Sequence, residues 1–410
     1  MKLPCLTLNS GSSSIKFAVF DLACQPLLAT PAWSGKVDGI TSASPQWSES
    51  VPGNPDCAQT VTLRSGHAYA DAVARIRARA LAVLGRHPAG VMHRIVHGGG
   101  KYHRPIRLTP AVLADLRSYI PLAPLHQPHA LEAIDRLWAE WPDVTQWACF
   151  DTAFHGTLPD HAQRLPLPHA LWDRGIRRYG FHGLSYQYLA QALQARYGER
   201  AQGRVIAAHL GSGASLCAMH QGRSQYTTMG FSALDGLMMG SRCGALDPGV
   251  VLHLMQTDGL SVTDVAHLLY HHAGLLGVSG LSPDPRVLLA HEAEHEGARA
   301  ALTLYVHQVA REIAALITEL GGLDLLVFSA GVGEHNAEIR RRITERLGWA
   351  GIYLDDDANQ RHAHWIARAD SPVGVAVEPT NEEWMMARHA HDLVHDTPLA
   401  SDAAAGSPST

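Results

Sequence analysis

A glycine-and-serine turn flanked by short apolar runs occurs twice in this chain: Leu6-Thr7-Leu8-Asn9-Ser10-Gly11-Ser12-Ser13-Ser14-Ile15-Lys16-Phe17 near the start and Ala207-Ala208-His209-Leu210-Gly211-Ser212-Gly213-Ala214-Ser215-Leu216 near the middle. Each reads as a strand, a tight turn and a returning strand. Glycine lets the backbone approach an anion and aim its N–H groups at it, while hydroxyls and a lysine add donors and charge. A single such turn is an ordinary hairpin signal. Repeated in the same strand context, it predicts one phosphate-binding hairpin used twice, and two such turns facing each other could clamp a polyphosphate. The first turn is not a Walker loop, because Gly11 is followed by Ser-Ser-Ser-Ile-Lys rather than by four residues and Gly-Lys-Ser/Thr.

A chain of 410 residues with 46% hydrophobic content has room for two cores and therefore two domains. A net charge of −5, with 26 histidines able to offset it, selects no class of partner. No basic arm or helix suggests a nucleic-acid surface. The sequence enters a strand pattern at once, without the charged and apolar regions of a leader, and no apolar run reaches membrane-spanning length, which predicts a cytoplasmic location. Cys5, Cys24, Cys57, Cys149, Cys217 and Cys243 form no Cys-x-x-Cys pair, which fits reduced thiols.

Along the first half, the Trp/Ser/Pro-rich stretch from Trp33 to Pro55 reads as a loop or irregular insertion. Val73, Ile76, Ala80 and Leu84 recur at helical spacing and predict a helix over Tyr69 to Leu84, ended by Gly85 and Pro88. A strand from Val91 to Val96 runs into Gly98-Gly99-Gly100. Thr109-Pro110 suits an N-cap and first turn, Leu131 to Trp141 reads as another helix, and a strand from Gln146 to Phe150 precedes Asp151. A second hairpin starts at Arg204, with helices near Val250–Met255 and across Ala298–Leu320. The apolar run Leu325 to Ala330 suits a buried parallel strand, and Gly331-Val332-Gly333-Glu334 then opens a helix, a nucleotide-binding geometry. The tail from Thr397 has a disordered composition. Alternating strands and helices in two hairpin-led halves predict a duplicated α/β protein with a central cleft, where ligands bind.

Taken in order, these segments resemble the acetokinase family, which lies within the sugar-kinase, heat-shock-chaperone and actin superfamily. The resemblance runs from Asn9 to Glu383. It is carried by Asn9-Ser10-Gly11-Ser12-Ser13-Ser14-Ile15-Lys16, His93-Arg94-Ile95-Val96-His97-Gly98-Gly99, Ala123-Pro124-Leu125-His126, Phe150-Asp151-Thr152-Ala153-Phe154-His155, Arg178-Tyr179-Gly180-Phe181-His182-Gly183, Met239-Gly240-Ser241-Arg242-Cys243-Gly244, Ser329-Ala330-Gly331-Val332-Gly333-Glu334 and Pro379-Thr380-Asn381-Glu382-Glu383. It implies duplicated ribonuclease-H-like (actin-like ATPase) domains: 1–150 joined by 385–396, a nucleotide-binding 151–384, and the tail 397–410. The activity implied is reversible transfer of the γ-phosphoryl group of ATP to acetate, giving acetyl phosphate and ADP, with magnesium or manganese, in a homodimer.

The residue types suit that chemistry. A carboxylate is already an anion, so its attack on the γ-phosphorus needs charge neutralisation and alignment rather than a general base. The resemblance gives Arg94 the grip on the substrate carboxylate, for which a rigid bidentate fork is suited. It gives Arg242 and His182 the transferring phosphoryl group, and places His126 in the same cleft. Asp151 would order Arg94 and the metal shell, although an Asp after an apolar run could equally cap a helix or turn. Asn9 and Glu382 would hold a magnesium ion that keeps most of its waters. A Glu there would otherwise simply start a helix. Ser12 and Lys16 would contact phosphate. His209, Leu210, Gly211, Ser212 and Gly213, then Asp284, Pro285 and Arg286, then Gly331, Val332, Gly333, Glu334 and His335 would surround the nucleotide. Val96, Leu125 and Phe181 would form a slot for the acyl methyl group, with Ala233 beside it.

Departures from the family pattern fall at Ser212, His335, Pro285, Ala233 and Ala245. Ser212 stands where the family has Asn, and Ala233 where it has a proline, which predicts an acyl pocket wide enough to make propionate an alternative substrate. Cys243 adjoins Arg242, which predicts a lowered thiol pKa and alkylation that MgATP slows; the alternative is a buried, inert thiol. Two other functions share the fold. An actin-like or chaperone-type ATPase would not need Arg94, the slot or the Arg242–His182 pair, and a hydroxyl kinase would need a general base, a part Asp151 alone could play.

Overall fold

The computed structural model describes residues 1–395 apart from Ser12, Ser13, Thr41, Pro55 and Leu125, so the tail expected to be disordered lies outside the described residues. The chain divides into two compact units. The first comprises Met1–His97, Arg104–Phe150 and the segment from Glu382; the second comprises Gly98–His103 and Asp151–Asn381.

The first unit is built on an eight-stranded sheet of β1 (Pro4–Ser10), β2 (Ile15–Asp21), β3 (Trp33–Asp38), β4 (Gln46–Ser50), β5 (Cys57–Thr60), β6 (Gly90–Ile95), β7 (Ile106–Arg107) and β8 (Thr145–Phe150), in the order β5-β4-β3-β2-β1-β6-β8-β7. β1 and β2 form the predicted antiparallel hairpin, and β1 then pairs parallel with β6 and β6 with β8. The helix Ala68–Leu84 buries Val73, Ile76 and Ala80 and ends at Gly85 in the left-handed conformation, as its spacing predicts. Thr109 caps the helix Pro110–Ser118 by accepting the Val112 N–H at 3.3 Å.

Trp33 to Pro55 is not a loop. It supplies β3 and β4, which extend the sheet antiparallel from β2. Only one face of these strands is covered, so Trp33, Val37 and Trp47 are buried while Lys36 and Gln46 face outward. The ring centroid of Phe17 lies 4.6 Å from that of Trp33 and 5.0 Å from that of Trp47. Gly35 fits beneath this cluster because a Cβ there would come within 2.6 Å of the Phe17 ring. Ser34, Ser48 and Ser50, which add to the segment's loop-like composition, are outward positions of these strands, and Gly35 is a close-approach position.

The second unit carries β9 (Arg204–Leu210), β10 (Ala214–His220), β11 (Arg223–Thr227), β12 (Leu325–Ser329) and β13 (Gly374–Val377), in the order β11-β10-β9-β12-β13. The pattern repeats that of the first unit: an antiparallel hairpin, β9–β10, whose first strand pairs parallel with a later one, β12. β12 and β13 are buried at every position, as their continuous apolar runs require. The helix Glu296–Leu320 covers this sheet, and the helices Pro248–Gln256 and Val262–His271 leave Val250, Leu252 and Val262 exposed. Among the described residues no helix is long and apolar enough to cross a membrane.

Candidate active site

In the first unit, the functional side chains gather where the parallel strands β1 and β6 end. The β1–β6 register pairs Leu8 with His93, so Asn9 and Arg94 follow side by side. Arg94 Nη1 donates to Asn9 Oδ1 at 3.0 Å. Asn9 Nδ2 donates to Glu382 Oε2 at 2.7 Å and Glu383 Oε1 at 2.9 Å. A guanidinium only donates and a carboxylate only accepts, so these partners fix the Asn9 amide in one orientation. The two glutamates occupy the first turn of the helix Glu382–His395, whose Met385, Met386, Ala387 and Ala390 are buried. Lys16 lies opposite Asn9 across the hairpin, with its side chain exposed. The Tyr69 hydroxyl donates to the Gly11 carbonyl at 2.5 Å and pins the first turn. Val96 is buried, and His126 sits half-buried at the start of the helix Gln127–Glu140. Ser12 and Leu125 lie outside the described residues.

In the second unit, Asp151 is buried just beyond β8, and its carbonyl accepts the Gly183 N–H at 2.9 Å. A Cβ on Gly183 would come within 2.0 Å of that oxygen, so the position after His182 must be glycine. His182 has φ 59 and ψ 23, a left-handed conformation that costs a non-glycine residue about 1–3 kcal/mol and is found where the surroundings impose it. Its ring stacks on that of His209 with centroids 4.2 Å apart, and its Nδ1 lies 2.8 Å from Ser215 Oγ. Phe181 is buried and Ala233 half-buried.

The second glycine turn completes this arrangement. A Cβ on Gly213 would lie 2.9 Å from Arg242 Nη2 and 3.2 Å from His182 Nε2, so both side chains close on the bare backbone of the turn. Arg242 Nη1 donates to the Ala233 carbonyl at 2.7 Å. Burial pulls the Arg242 pKa down, and among the described residues no carboxylate pairs with it. A desolvated guanidinium without a counter-ion is stabilised by an arriving anion.

Beside the turn lies a cavity of about 500 Å³. Gly211, Ser212, Asp284, Pro285, Arg286, Gly331, Val332 and His335, all expected around a nucleotide, line it together with Gly240, Ser241, Pro283 and Asn336. His209, Leu210, Gly213, Gly333 and Glu334 are not among its lining residues. Glu334 Oε1 instead accepts the Ala330 N–H at 2.7 Å, holding a residue whose φ is 63. Asp284 caps the helix Pro285–His291 through the Arg286 N–H at 2.8 Å, and its hydrogen bond with the Arg286 side chain pulls its carboxyl below the usual range. The buried Arg340 donates to the carbonyls of Gly333 and Glu334 at 2.8 and 2.9 Å, fixing the end of the helix Ala330–His335.

Cys243 does not carry the lowered pKa expected from its neighbour. Burial raises it, and its thiol bonds to the Gly244 carbonyl at 3.1 Å while the Arg242 guanidinium turns toward Ala233 and Gly213. His93 and His155 are buried neutral rings whose pKa burial pulls down to about 4. Glu383, Tyr69, Ser185, Tyr186 and Ser215 carry contacts that the sequence reading missed. Ser185 and Tyr186 follow His182 by three and four residues, the spacing that brings helix side chains onto one face.

The acetokinase family model matches residues 4–388. The acetate kinase of Rhodopseudomonas palustris (strain TIE-1) is 47% identical over 392 residues, covering 95% of this chain and 98% of that one. The crystal structure of Porphyromonas gingivalis acetate kinase, 31% identical, superposes with a TM-score of 0.82 over 96% of this chain and 100% of its own. That of a propionate kinase from Francisella tularensis, also 31% identical, gives 0.85 over 94% and 98%. Two hairpin-led α/β units, a pair of glycine turns and a model match over nearly the whole length have one reading: the chain belongs to the acetokinase family, with its duplicated actin-like fold.

Proposed function

We propose that this protein is an ATP-dependent carboxylate kinase that converts acetate and ATP to acetyl phosphate and ADP, reversibly, by direct in-line transfer. The observation that carries the proposal is Arg242, a part-buried arginine whose desolvated guanidinium has no carboxylate partner among the described residues, set against the Gly211–Gly213 turn beside His182 Nε2. In this reading Arg242 and His182 donate to the equatorial oxygens of the transferring phosphoryl group, whose charge they offset without moving. Arg94 holds the substrate carboxylate, and Asn9 keeps the guanidinium aimed. Asp151 orders the surrounding polar groups, Ser12 and Lys16 bind phosphate, and the cavity lined by Pro285 and Val332 takes the adenosine. The adenosine-binding role thus falls to the second unit.

The first unit has oxygen donors suited to magnesium. Two carboxylates, Glu382 and Glu383, converge on one Asn9 nitrogen, and among the described residues no cluster of three or more His, Cys, Asp or Glu side chains is found. A small hard cation that retains waters and takes phosphate oxygens needs few protein ligands. Glu382 and Glu383 would hold it through their carboxylate oxygens, with Asn9 joining them once its amide oxygen turns from Arg94, and when bound it would neutralise charge on the β- and γ-phosphates. Manganese suits the same oxygen donors.

The direct test measures ATP consumption with and without millimolar acetate, trapping product as the hydroxamate. Acetate-dependent hydroxamate supports the proposal; ATP hydrolysis indifferent to acetate indicates an actin-like or chaperone-type ATPase.

Ala233 supports propionate as an alternative substrate. Its backbone carbonyl accepts from Arg242 Nη1 at 2.7 Å, which ties this residue to the arginine read as holding the phosphoryl group. A methylene buried in an apolar acyl slot is worth roughly 0.8 kcal/mol, so the expected shift in kcat/KM is several-fold. Ala233→Pro is expected to lower the propionate-to-acetate ratio of kcat/KM by that amount. An unchanged ratio would mean that chain-length preference is set elsewhere. We further infer a cytoplasmic homodimer, with the exposed Leu252 and Val262 taking part in the face for a second copy. Leu252→Glu with Val262→Glu is expected to reduce the mass in solution from twice the chain's 44.3 kDa to that value.

A further inference from the structure

His182 is held by a chain of hydroxyls. Its Nδ1 lies 2.8 Å from Ser215 Oγ, and Ser215 Oγ lies 2.5 Å from the Tyr186 hydroxyl. Ser215 and Tyr186 are completely buried. Ser215 faces His209 directly across the β9–β10 ladder, and His209 is tethered in a parallel way, its Nδ1 lying 2.8 Å from Ser185 Oγ. Two stacked imidazoles are thus each fastened through Nδ1 by hydroxyls that begin on the same turn of the helix Gly183–Tyr197.

The protons along this chain can be assigned. Burial raises the Tyr186 hydroxyl far above its ordinary pKa, so it stays protonated. Ser215 Oγ is the acceptor 2.5 Å from that hydroxyl, and the Tyr186 O–H is given to it because a buried hydroxyl proton left unpaired is costly. Ser215 then has a single proton of its own and gives it to His182 Nδ1. A neutral imidazole carries one N–H, so His182 carries it on Nε2, the atom that faces Gly213 beside Arg242.

We propose that Tyr186 and Ser215 are positioning residues that fix His182 as the Nε2–H tautomer, presenting a neutral donor rather than a second cation beside Arg242. Reversing the chain would leave the Tyr186 proton without an acceptor. The ring is therefore committed before substrate arrives, and its left-handed backbone and stacking on His209 fix its plane. The inference rests on the reading that His182 donates to the transferring phosphoryl group.

The test uses full-length protein labelled with [15N]histidine, with the His182 signals identified from their loss in His182→Gln. Long-range proton–nitrogen correlation is expected to show Nε2 protonated and Nδ1 bare in the unaltered protein; a protonated Nδ1 overturns the proposal with no variant needed. Ser215→Ala is expected to release the tautomer and lower kcat by roughly tenfold or more, the loss typical when a histidine's orienting partner is removed, with KM for acetate and ATP little changed. Ser215→Thr, which keeps the hydroxyl, is expected to restore both. A Ser215→Ala protein with the tautomer and kcat unchanged also overturns it. Failure of the underlying reading is distinguishable: His182→Gln with wild-type kcat would remove His182 from the reaction while the tautomer measurement stood.

Discussion

Arg242→Ala lowers kcat by roughly 10²-fold or more, the loss expected for a donor that acts on charge developing in the transition state. That ratio corresponds to about 2.7 kcal/mol of barrier. The expectation follows from the position of the guanidinium, anchored to the Ala233 carbonyl and closed against Gly213. Arg242→Lys recovers little, since a single ammonium cannot hold that carbonyl and reach the turn together. Arg94→Ala behaves differently. Its side chain is aimed by Asn9 and grips a group charged before and during reaction, so KM for acetate rises by roughly tenfold or more with a smaller change in kcat. Steady-state kinetics in both substrates separate the two, and an Arg242→Ala enzyme with kcat within about threefold of wild type would sink this mechanism.

Gly213→Ala is expected to be nearly as damaging while leaving the fold intact. The position is not among those with positive φ, so its backbone accepts alanine. The new methyl, however, would lie 2.9 Å from Arg242 Nη2 and 3.2 Å from His182 Nε2. Side-chain ends can move aside at little cost in stability, but they would move away from the geometry the reaction needs, and a displacement near 1 Å can cost about 10²-fold in rate. The expected result is a large fall in kcat with Tm shifted by only a few degrees. Gly348→Ala is the control, because its φ is not positive, a Cβ there meets only Tyr353 Cε1 at an ordinary 3.8 Å, and it does not line the cavity. Equal kcat in both variants would show that the Gly213 turn does not bear on the reacting group.

Much of this arrangement was legible in the sequence because it is written in short contiguous signals. The hairpins at Gly11 and Gly213, the buried run of β12 and the Thr109 cap each depend on residues within a few positions of one another. Trp33 to Pro55 was misread because a strand with one covered face spends half its positions on polar residues, and Gly35 is there to admit the Phe17 ring, a partner distant in sequence. The Ser215–Tyr186 link was invisible for a related reason: a hydroxyl's role depends on what folding brings opposite it, and Ser215 offers no local pattern. Cys243 failed because adjacency in sequence was taken for adjacency of side chains. Its neighbour's charge points elsewhere, and burial decides the thiol's pKa.

The origin of Glu382 and Glu383 sets an order of events during synthesis. The sheet of the first unit is translated early, but the helix that supplies these two carboxylates to Asn9 follows Asn381, the last residue of the second unit. A nascent chain therefore carries Arg94 and Asn9 without their acidic partners until the whole second unit has been made, and its first sheet waits for Met385, Met386 and Ala390 to cover it. Domains made first usually fold first. Here the earlier unit is the one that must finish last, and a chain terminated near Asn381 would carry a complete second unit attached to an unfinished first one.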